Sequence, residues 1–134
     1  MVKKKIKAVP NSLRTWFFIH FLFDYLFGIP LLFFPKQFLI LFGFPVIDFF
    51  AVRLVGAALL GIGGVSLLSN KTGFETYNSL LNLKIIWSLS AIIGILITMS
   101  QSYLAAEWLF FFIFLVFSLI WKYYKLKINN KLYK

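Results

Sequence analysis

The amino-acid sequence predicts an all-α protein, an integral membrane bundle of four transmembrane helices. The chain of 134 residues is 61% apolar, and its mean hydropathy is +0.89. Only 13% of its residues are charged, about half of the ~25% that is typical of soluble domains. Four long apolar stretches follow one another along the chain. So few polar residues cannot cover the surface of a soluble protein of this size, which excludes an ordinary soluble enzyme and a disordered chain.

Each apolar stretch is long enough to cross a bilayer, which takes about 20 residues at a rise of 1.5 Å each. The spans are predicted at about 13–34, 48–69, 77–99 and 103–124. Asp48 and Ser102 are candidate N-caps of the second and fourth spans. Thr72 and Glu75 have capping-box spacing, which favours a start of the third span one turn earlier. The spans form one domain, residues 13–124, between a basic arm (1–12) and a basic tail (125–134).

Two segments, residues 1–34 and 35–47, allow further predictions. Residues 1–34 do not match a cleavable signal peptide, because the apolar part is too long, contains Asp24 and lacks a small-x-small cleavage site. Residues 35–47 are too apolar for a free loop and too short to cross the membrane. We expect 37–42 to lie in the outer interface, bracketed by Pro35, Gly43 and Pro45, and the alternative is a lengthened turn.

The distribution of basic residues predicts the orientation of the chain. Eleven flank the spans on the side of the two chain ends: Lys3, Lys4, Lys5, Lys7, Arg14, Lys71, Lys122, Lys125, Lys127, Lys131 and Lys134. Only Lys36 flanks the other side. We therefore expect a multi-pass protein of a plasma or inner membrane with both termini in the cytoplasm. The formal net charge of +10 then reflects orientation, and no nucleic-acid partner is expected.

Five ionisable residues fall inside the predicted spans, namely His20, Asp24, Arg53, Lys84 and Glu107. Each costs several kcal/mol at membrane depth unless it is paired or hydrated. The helical rise places Asp24 ~16 Å, and His20 and Lys84 ~10 Å, from the inner ends of their spans. It places Arg53 and Glu107 ~6–8 Å from the outer ends. The prediction is a polar cluster in two layers, with Arg53 long enough to reach Asp24.

Simpler readings of these five residues remain open. The side chains of Arg53, Glu107 and Lys84 could extend to the nearest interface. A buried ion pair of Asp24 could serve only to fix helix register. His20 could simply form a hydrogen bond to a neighbouring helix.

Small residues predict where the helices pack. His20, Asp24 and Gly28 share one helical stripe, and Arg53, Ala57, Gly61 and Gly64 share another. Such stripes let helix backbones approach closely in lipid. Helix packing is therefore predicted at Gly28, Gly56, Ala57, Gly61 and Gly64.

The residue inventory excludes several kinds of chemistry. The chain has no cysteine, which rules out disulfides, thiolate catalysis and iron–sulfur ligation. Its single histidine cannot form a multi-histidine zinc site or a bis-histidine haem site within one chain. No phosphate-binding loop is found, because the clustered glycines lie inside an apolar span. No catalytic residue and no metal site are predicted.

The stretch FPKQFLILFGFP, followed by AVRLVGAALLGIGG, resembles small bacterial four-span proteins of the DoxX-like kind. In these proteins an Arg-x-x-Gly second span is followed by a basic residue in the third span and an acidic one in the fourth. Arg53 with Gly56, Lys84 and Glu107 match that order, over about residues 15–120. The resemblance implies a four-helix fold and an association with quinone-linked oxidoreductase complexes. It transfers no catalytic residue.

Three functions are compatible with these features. The leading one is a non-catalytic protein that either binds a lipid or quinone or serves as an accessory subunit. In the first case Asp24, Arg53 and Lys84 would hold the polar end of the ligand. The second is an enzyme or proton-coupled carrier that uses His20 and Asp24. The third is purely structural. The expected partners are the lipid bilayer, other membrane subunits or a second copy of the chain. A pocket that reaches the cluster would favour the first function. A water path from His20 to one surface would favour the second, and a closed dry cluster would favour the third.

Overall fold

The computed structural model describes residues 8–45 and 48–130. It contains five α-helices, and a short 3₁₀ turn at Ser69–Lys71 follows the third. The helices are α1 (Asn11–Phe33), α2 (Pro35–Leu41), α3 (Phe49–Leu68), α4 (Phe74–Gln101) and α5 (Ala105–Asn130). Helices α1, α3, α4 and α5 are long and apolar enough to cross a membrane. The predicted all-α class is confirmed, and the protein is a membrane protein.

The helix ends show which of the capping predictions hold. Asp48 caps α3 as predicted, because its carboxylate accepts hydrogen bonds from Phe50 N at 2.8 Å and Ala51 N at 3.2 Å. Helix α4 does begin a turn before Tyr77, at Phe74, but the N-cap is Gly73 and no side chain caps it. The predicted capping box is therefore absent.

The predicted cap of the fourth span is wrong. Ser102 ends α4 instead of starting α5, since its backbone N–H bonds to Thr98 O at 3.0 Å. Helix α5 begins at Ala105, where Glu107 takes over the capping. Its carboxylate accepts a hydrogen bond from Leu104 N at 3.2 Å, the arrangement of an N3 glutamate in a capping box.

Helices α1 and α3 pack against each other through glycines. A Cβ atom added at Gly56 would lie 2.8 Å from Leu32 N and 2.9 Å from Gly28 O, so the two backbones touch. A Cβ atom at Gly63 would lie 2.7 Å from Asp24 Cβ. The packed face of α3 is lined by Gly56, Leu59, Gly63 and Ser66, all of which are buried.

The stripe predicted for α3 is thereby corrected. Arg53, Ala57 and Gly61 lie on the exposed face, and a Cβ atom at Gly61 would meet nothing within 4 Å. Gly64 is half-buried and approaches only the Tyr25 hydroxyl. Glycines at positions 56, 61, 63 and 64 offer two overlapping helical stripes, and the contact with α1 uses Gly56 and Gly63.

Helices α4 and α5 form the second pair, and large aromatic side chains join it to the first. Phe17 of α1 lies 4.6 Å from Tyr77 of α4 and 5.5 Å from Trp121 of α5, measured between ring centroids. These rings belong to a buried cluster near the start of α1 and the end of α5: Leu13, Phe17, Phe74, Tyr77, Leu81, Phe117, Trp121, Tyr124 and Ile128. We call this end of the bundle the terminal end and the opposite one the loop end.

Polar contacts tie the helices together at the terminal end. The Arg14 guanidinium donates to the carbonyl oxygens of Asn70 and Thr72, and the Lys125 ammonium donates to Asn78 O at 3.2 Å. Helix α5 continues to Asn130, past the predicted boundary at 124, so the tail begins as helix. The basic residues Lys3, Lys4, Lys5, Lys7, Lys131 and Lys134, which support the predicted orientation, lie outside the described residues.

Helix α2 lies at the loop end, where the sequence predicts a short segment at 37–42. Pro35 stands at its first turn, and Gly43, with φ of +75°, follows its end in a conformation that favours glycine. Phe38 and Phe42 turn back toward Phe27 of α1, with ring-centroid distances of 5.8 and 6.4 Å. Helix α2 therefore covers the loop end of the space between the two helix pairs.

Candidate functional site

A cavity of about 430 Å³ lies between the two helix pairs toward the loop end. All five helices contribute to its wall, which consists mostly of aromatic and aliphatic side chains. Its aromatic residues include Phe27, Phe38, Phe42, Phe110 and Phe114. The volume falls in the range of ~300–1,000 Å³ that is typical of small-molecule sites.

The cavity has this position because the aromatic cluster fills only the terminal half of the bundle. Beyond Ser88 on α4, no residue of that helix is buried within the chain. On α5 the same holds between Glu107 and Phe117. The cavity is open to the outside, and its exposed lining residues lie on α3 and α4 (Val55, Gly94 and Thr98) and on α1 (Phe23).

Polar side chains line the cavity at its two ends. Thr98 and Glu107 lie at the loop end, close to the ends of α4 and α5. His20, Asp24 and Trp87 lie at the deep end, in the middle of α1 and α4. The deep end is therefore the place where a polar group of a ligand would meet buried, ionisable protein groups.

Behind the deep end, three ionisable residues lie in contact. His20 Nδ1 is 2.7 Å from Asp24 Oδ2 and 3.1 Å from Lys84 Nζ. All three residues are at most 6% exposed, and Lys84 is 1% exposed. These residues were predicted to lie in one layer, and the structure brings them together. We call them the triad.

Lys84 has a site of its own that suits a buried cation. Its ammonium donates a hydrogen bond to Ser66 Oγ at 2.7 Å. It also lies 4.8 Å from the ring centroid of Phe17 and 5.0 Å from that of Trp121, within range of cation–π attraction. The same Trp121 ring and the Phe117 ring contact His20 edge-on at 5.2 and 4.7 Å, which fixes the imidazole in place.

The tautomer of His20 decides which of its two neighbours it hydrogen-bonds. An ammonium group can only donate, so His20 Nδ1 accepts from Lys84 when it carries no proton. When it carries one, it donates to Asp24 Oδ2 at 2.7 Å.

Trp87 has an unsatisfied polar atom. Its Nε1 is buried and lacks a hydrogen-bond acceptor among the described residues. Tyr77 and Trp121 have such atoms as well, but these two residues belong to the terminal-end cluster and do not line the cavity. An unsatisfied buried donor or acceptor costs ~1–3 kcal/mol, and the indole N–H of Trp87 is such a donor.

The structure does not bring Arg53 to the triad. Arg53 is exposed, its Nε donates to Leu32 O at 3.2 Å, and its guanidinium lies 5.9 Å from the Phe49 ring centroid. Glu107 is buried, but it caps α5 and forms no ion pair with Arg53. The predicted outer layer of Arg53 and Glu107 therefore does not form, because Arg53 lies at the surface and Glu107 caps α5.

Two residues of the site were not predicted from the sequence. Ser66 carries the Lys84 hydrogen bond, and its signal was its place three residues after Gly63 on the packed face of α3. Trp87 was not among the predicted site residues, although its indole lies at mid-span, one turn from Lys84. No group of three His, Asp or Glu residues able to hold a metal occurs in residues 8–45 and 48–130.

No protein-family model, curated protein or solved structure matches this chain. The resemblance to DoxX-like proteins stays a prediction, because none of these comparisons bears on it. By its fold and its cavity, the protein is a small membrane-spanning helical bundle with an apolar cavity that ends at a buried triad of ionisable residues.

Proposed function

We propose that this protein binds a lipophilic molecule, a lipid or a quinone, in the cavity between its helix pairs. The observation that supports the proposal is an apolar cavity that reaches the triad, so that one ligand could meet an apolar wall and a polar deep end together. Such a protein need not be catalytic and could act as an accessory subunit that supplies or holds the molecule for a membrane complex.

The wall of the cavity favours a lipophilic ligand over a water-soluble one. Its lining side chains are almost all aromatic or aliphatic, and the cavity is open along helices that cross the membrane. A ligand dissolved in the bilayer would enter without passing through water. Burial of apolar surface then contributes roughly 25 cal/mol per Å² to its binding.

The other two functions predicted from the sequence have less support. A proton-coupled carrier needs His20 to communicate with both sides of the membrane, but the fully buried rings of Phe17, Tyr77 and Trp121 fill the bundle on the terminal side of His20. A purely structural cluster would be closed on all sides, whereas His20 and Asp24 line an open cavity.

Two glycines give a matched test of the proposal. Gly94 lines the cavity and Gly61 faces the outside of α3, and a Cβ atom at either would meet nothing within 4 Å. Gly94→Leu should therefore obstruct the cavity without disturbing the fold, and Gly61→Leu should add the same side chain elsewhere.

The measurement is the thermal unfolding midpoint of the purified protein, with and without a short-chain ubiquinone or dioleoylphosphatidylglycerol. We expect at least one of these probes to stabilise the wild type and Gly61→Leu, and neither to stabilise Gly94→Leu. Equal responses of the two variants to every probe would contradict binding in this cavity.

A further inference from the structure

We infer that the terminal end carries a separate lipid site, a groove that binds a lipid whose head is a terminal phosphate group. The groove has a volume of about 240 Å³, and its lining residues are Arg14, Thr15, Phe18, Leu67 and Asn70. All of them except Arg14 are exposed, so this Arg14 groove lies on the outer face of the α1–α3 pair. Because it shares no lining residue with the cavity, it is a second site, distinct from the one proposed above.

Contacts to the neighbouring turn hold Arg14 beside the groove. Its guanidinium donates hydrogen bonds to Asn70 O and, at 3.0 Å, to Thr72 O, and its Cζ lies 5.1 Å from the centroid of the Tyr77 ring. A guanidinium has five N–H donors, of which these bonds use two, and the other three have no partner among the described residues. Since Asn70 itself lines the groove, the contact to its carbonyl oxygen places the guanidinium at the polar rim.

The positive charge at this rim has no counterpart. Neither Arg14 nor Lys71, which follows Asn70 in the turn, forms an ion pair within residues 8–45 and 48–130. A guanidinium is permanently charged and can bind a phosphate through two parallel hydrogen bonds. Basic pockets between transmembrane helices bind lipid head groups by the same chemistry.

A terminal phosphate suits the rim better than a phosphodiester. A phosphate monoester offers three strong acceptor oxygens and carries a charge of roughly −2 above neutral pH. A phosphodiester has one acceptor fewer and a single charge. The three unused guanidinium donors and the two unpaired cations therefore favour the monoester.

The apolar part of the groove favours a lipid over a free phosphate. Phe18 lies one turn after Arg14 on α1, and Leu67 precedes Asn70 by three residues, so both lie deeper in their spans than the rim. Their side chains are exposed by 49% and 40% within the described chain. A lipid could thus place its phosphate at Arg14 and an acyl chain along Phe18 and Leu67, whereas a free phosphate would use the rim alone.

The test compares dioleoylphosphatidate, dioleoylphosphatidylglycerol and inorganic phosphate, each added to protein in maltoside micelles at pH 8 and constant ionic strength. The unfolding midpoint is measured for Gly94→Leu, in which the cavity is obstructed. We expect phosphatidate to stabilise this variant at concentrations at which phosphatidylglycerol has no effect. One additional charge-assisted hydrogen bond corresponds to an apparent affinity about tenfold higher. Inorganic phosphate at the same concentrations should not stabilise it.

The first substitution removes the charge at the rim. Added to Gly94→Leu, Arg14→Gln should weaken the apparent affinity for phosphatidate about tenfold. Lys122→Gln is the matched control, because Lys122 is an exposed cation near the same end of the bundle and does not line the groove. It should leave the response to phosphatidate nearly unchanged.

The second substitution keeps the contacts of Arg14 and therefore does not depend on how the fold tolerates its loss. Arg14 binds the backbone carbonyl of Asn70, so Asn70→Asp retains that bond and adds a carboxylate to the groove, which should repel phosphatidate and remove its effect. Asn78→Asp is the matched control, since Asn78 lies on α4 outside the groove and accepts a hydrogen bond from Lys125.

Three results would overturn the site. Equal effects of phosphatidate and phosphatidylglycerol would contradict recognition of a terminal phosphate. Equal losses in Arg14→Gln and Lys122→Gln would indicate a general attraction between a chain of net charge +10 and anionic lipid. Equal stabilisation by inorganic phosphate would exclude a lipid as the occupant. Binding in the cavity is tested separately by the wild type and Gly61→Leu, so the two sites can fail independently.

Discussion

Removal of either charge of the triad should destabilise the protein, and removal of both should cost much less than the two separate effects together. The relevant variants are Asp24→Asn, Lys84→Met and their combination. Each single variant leaves one charge without its counterpart in the membrane interior. Breaking a buried pair in this way costs ~3–5 kcal/mol of unfolding free energy, whereas replacing both partners is often tolerated.

The structure sets the size of the coupling between the two charges. Asp24 Oδ2 and Lys84 Nζ lie 2.7 and 3.1 Å from the same nitrogen of His20, so they are at most about 5.8 Å apart. At an effective dielectric constant of ~20, opposite unit charges at that distance attract by about 3 kcal/mol. Lys84→Met does not leave the Ser66 hydroxyl without a hydrogen bond, because this hydroxyl still donates to Ile62 O at 2.7 Å.

The assay is reversible unfolding of the protein in bicelles by sodium dodecyl sulfate, which yields free energies for the four members of a double-mutant cycle. We expect a coupling energy of about 3 kcal/mol between Asp24 and Lys84. Arg53→Met is the control, because Arg53 is exposed and contacts Leu32 O and the Phe49 ring and not the triad. Strict additivity of Asp24→Asn and Lys84→Met would refute the reasoning, as would a coupling of equal size with Arg53.

Two further predictions concern packing and orientation. Gly63→Ala should lower stability by ~1–3 kcal/mol, because its Cβ would lie 2.7 Å from Asp24 Cβ, whereas Gly61→Ala, which meets nothing, should be neutral in the same unfolding assay. A cysteine at position 101 should react with an impermeant thiol reagent on intact cells, and one at position 130 should not, if both termini are cytoplasmic. The reverse labelling pattern would invert the predicted orientation.

The sequence was sufficient to predict features that depend on distance along a helix. Span length and hydropathy located the four long helices, and the fixed rise per residue placed His20, Asp24 and Lys84 at neighbouring depths. These three residues do meet in the structure. Asp48 could be identified as a cap because capping is a local interaction within a few residues.

Features that depend on the rotation of a helix about its axis could not be predicted as well. Arg53 and Glu107 were placed at similar depths, but depth does not say which side of a helix faces the core. The extra glycine at 61 suggested a stripe through Arg53, whereas the close contact with Gly28 and Asp24 selects Gly56 and Gly63 instead. Rotation is decided by packing against α1, and that information lies in another part of the chain.

The opening of the cavity along α3 and α4 has a consequence for how a ligand would compete for it. A molecule that reaches Val55 and Gly94 from the side arrives by two-dimensional diffusion, and its occupancy follows its mole fraction in the bilayer, not its solubility in water. Bulk lipid is then the competitor at every moment. A minor membrane component therefore stays bound only where its preference for the cavity exceeds its dilution by bulk lipid, and each tenfold of dilution takes about 1.4 kcal/mol of selectivity.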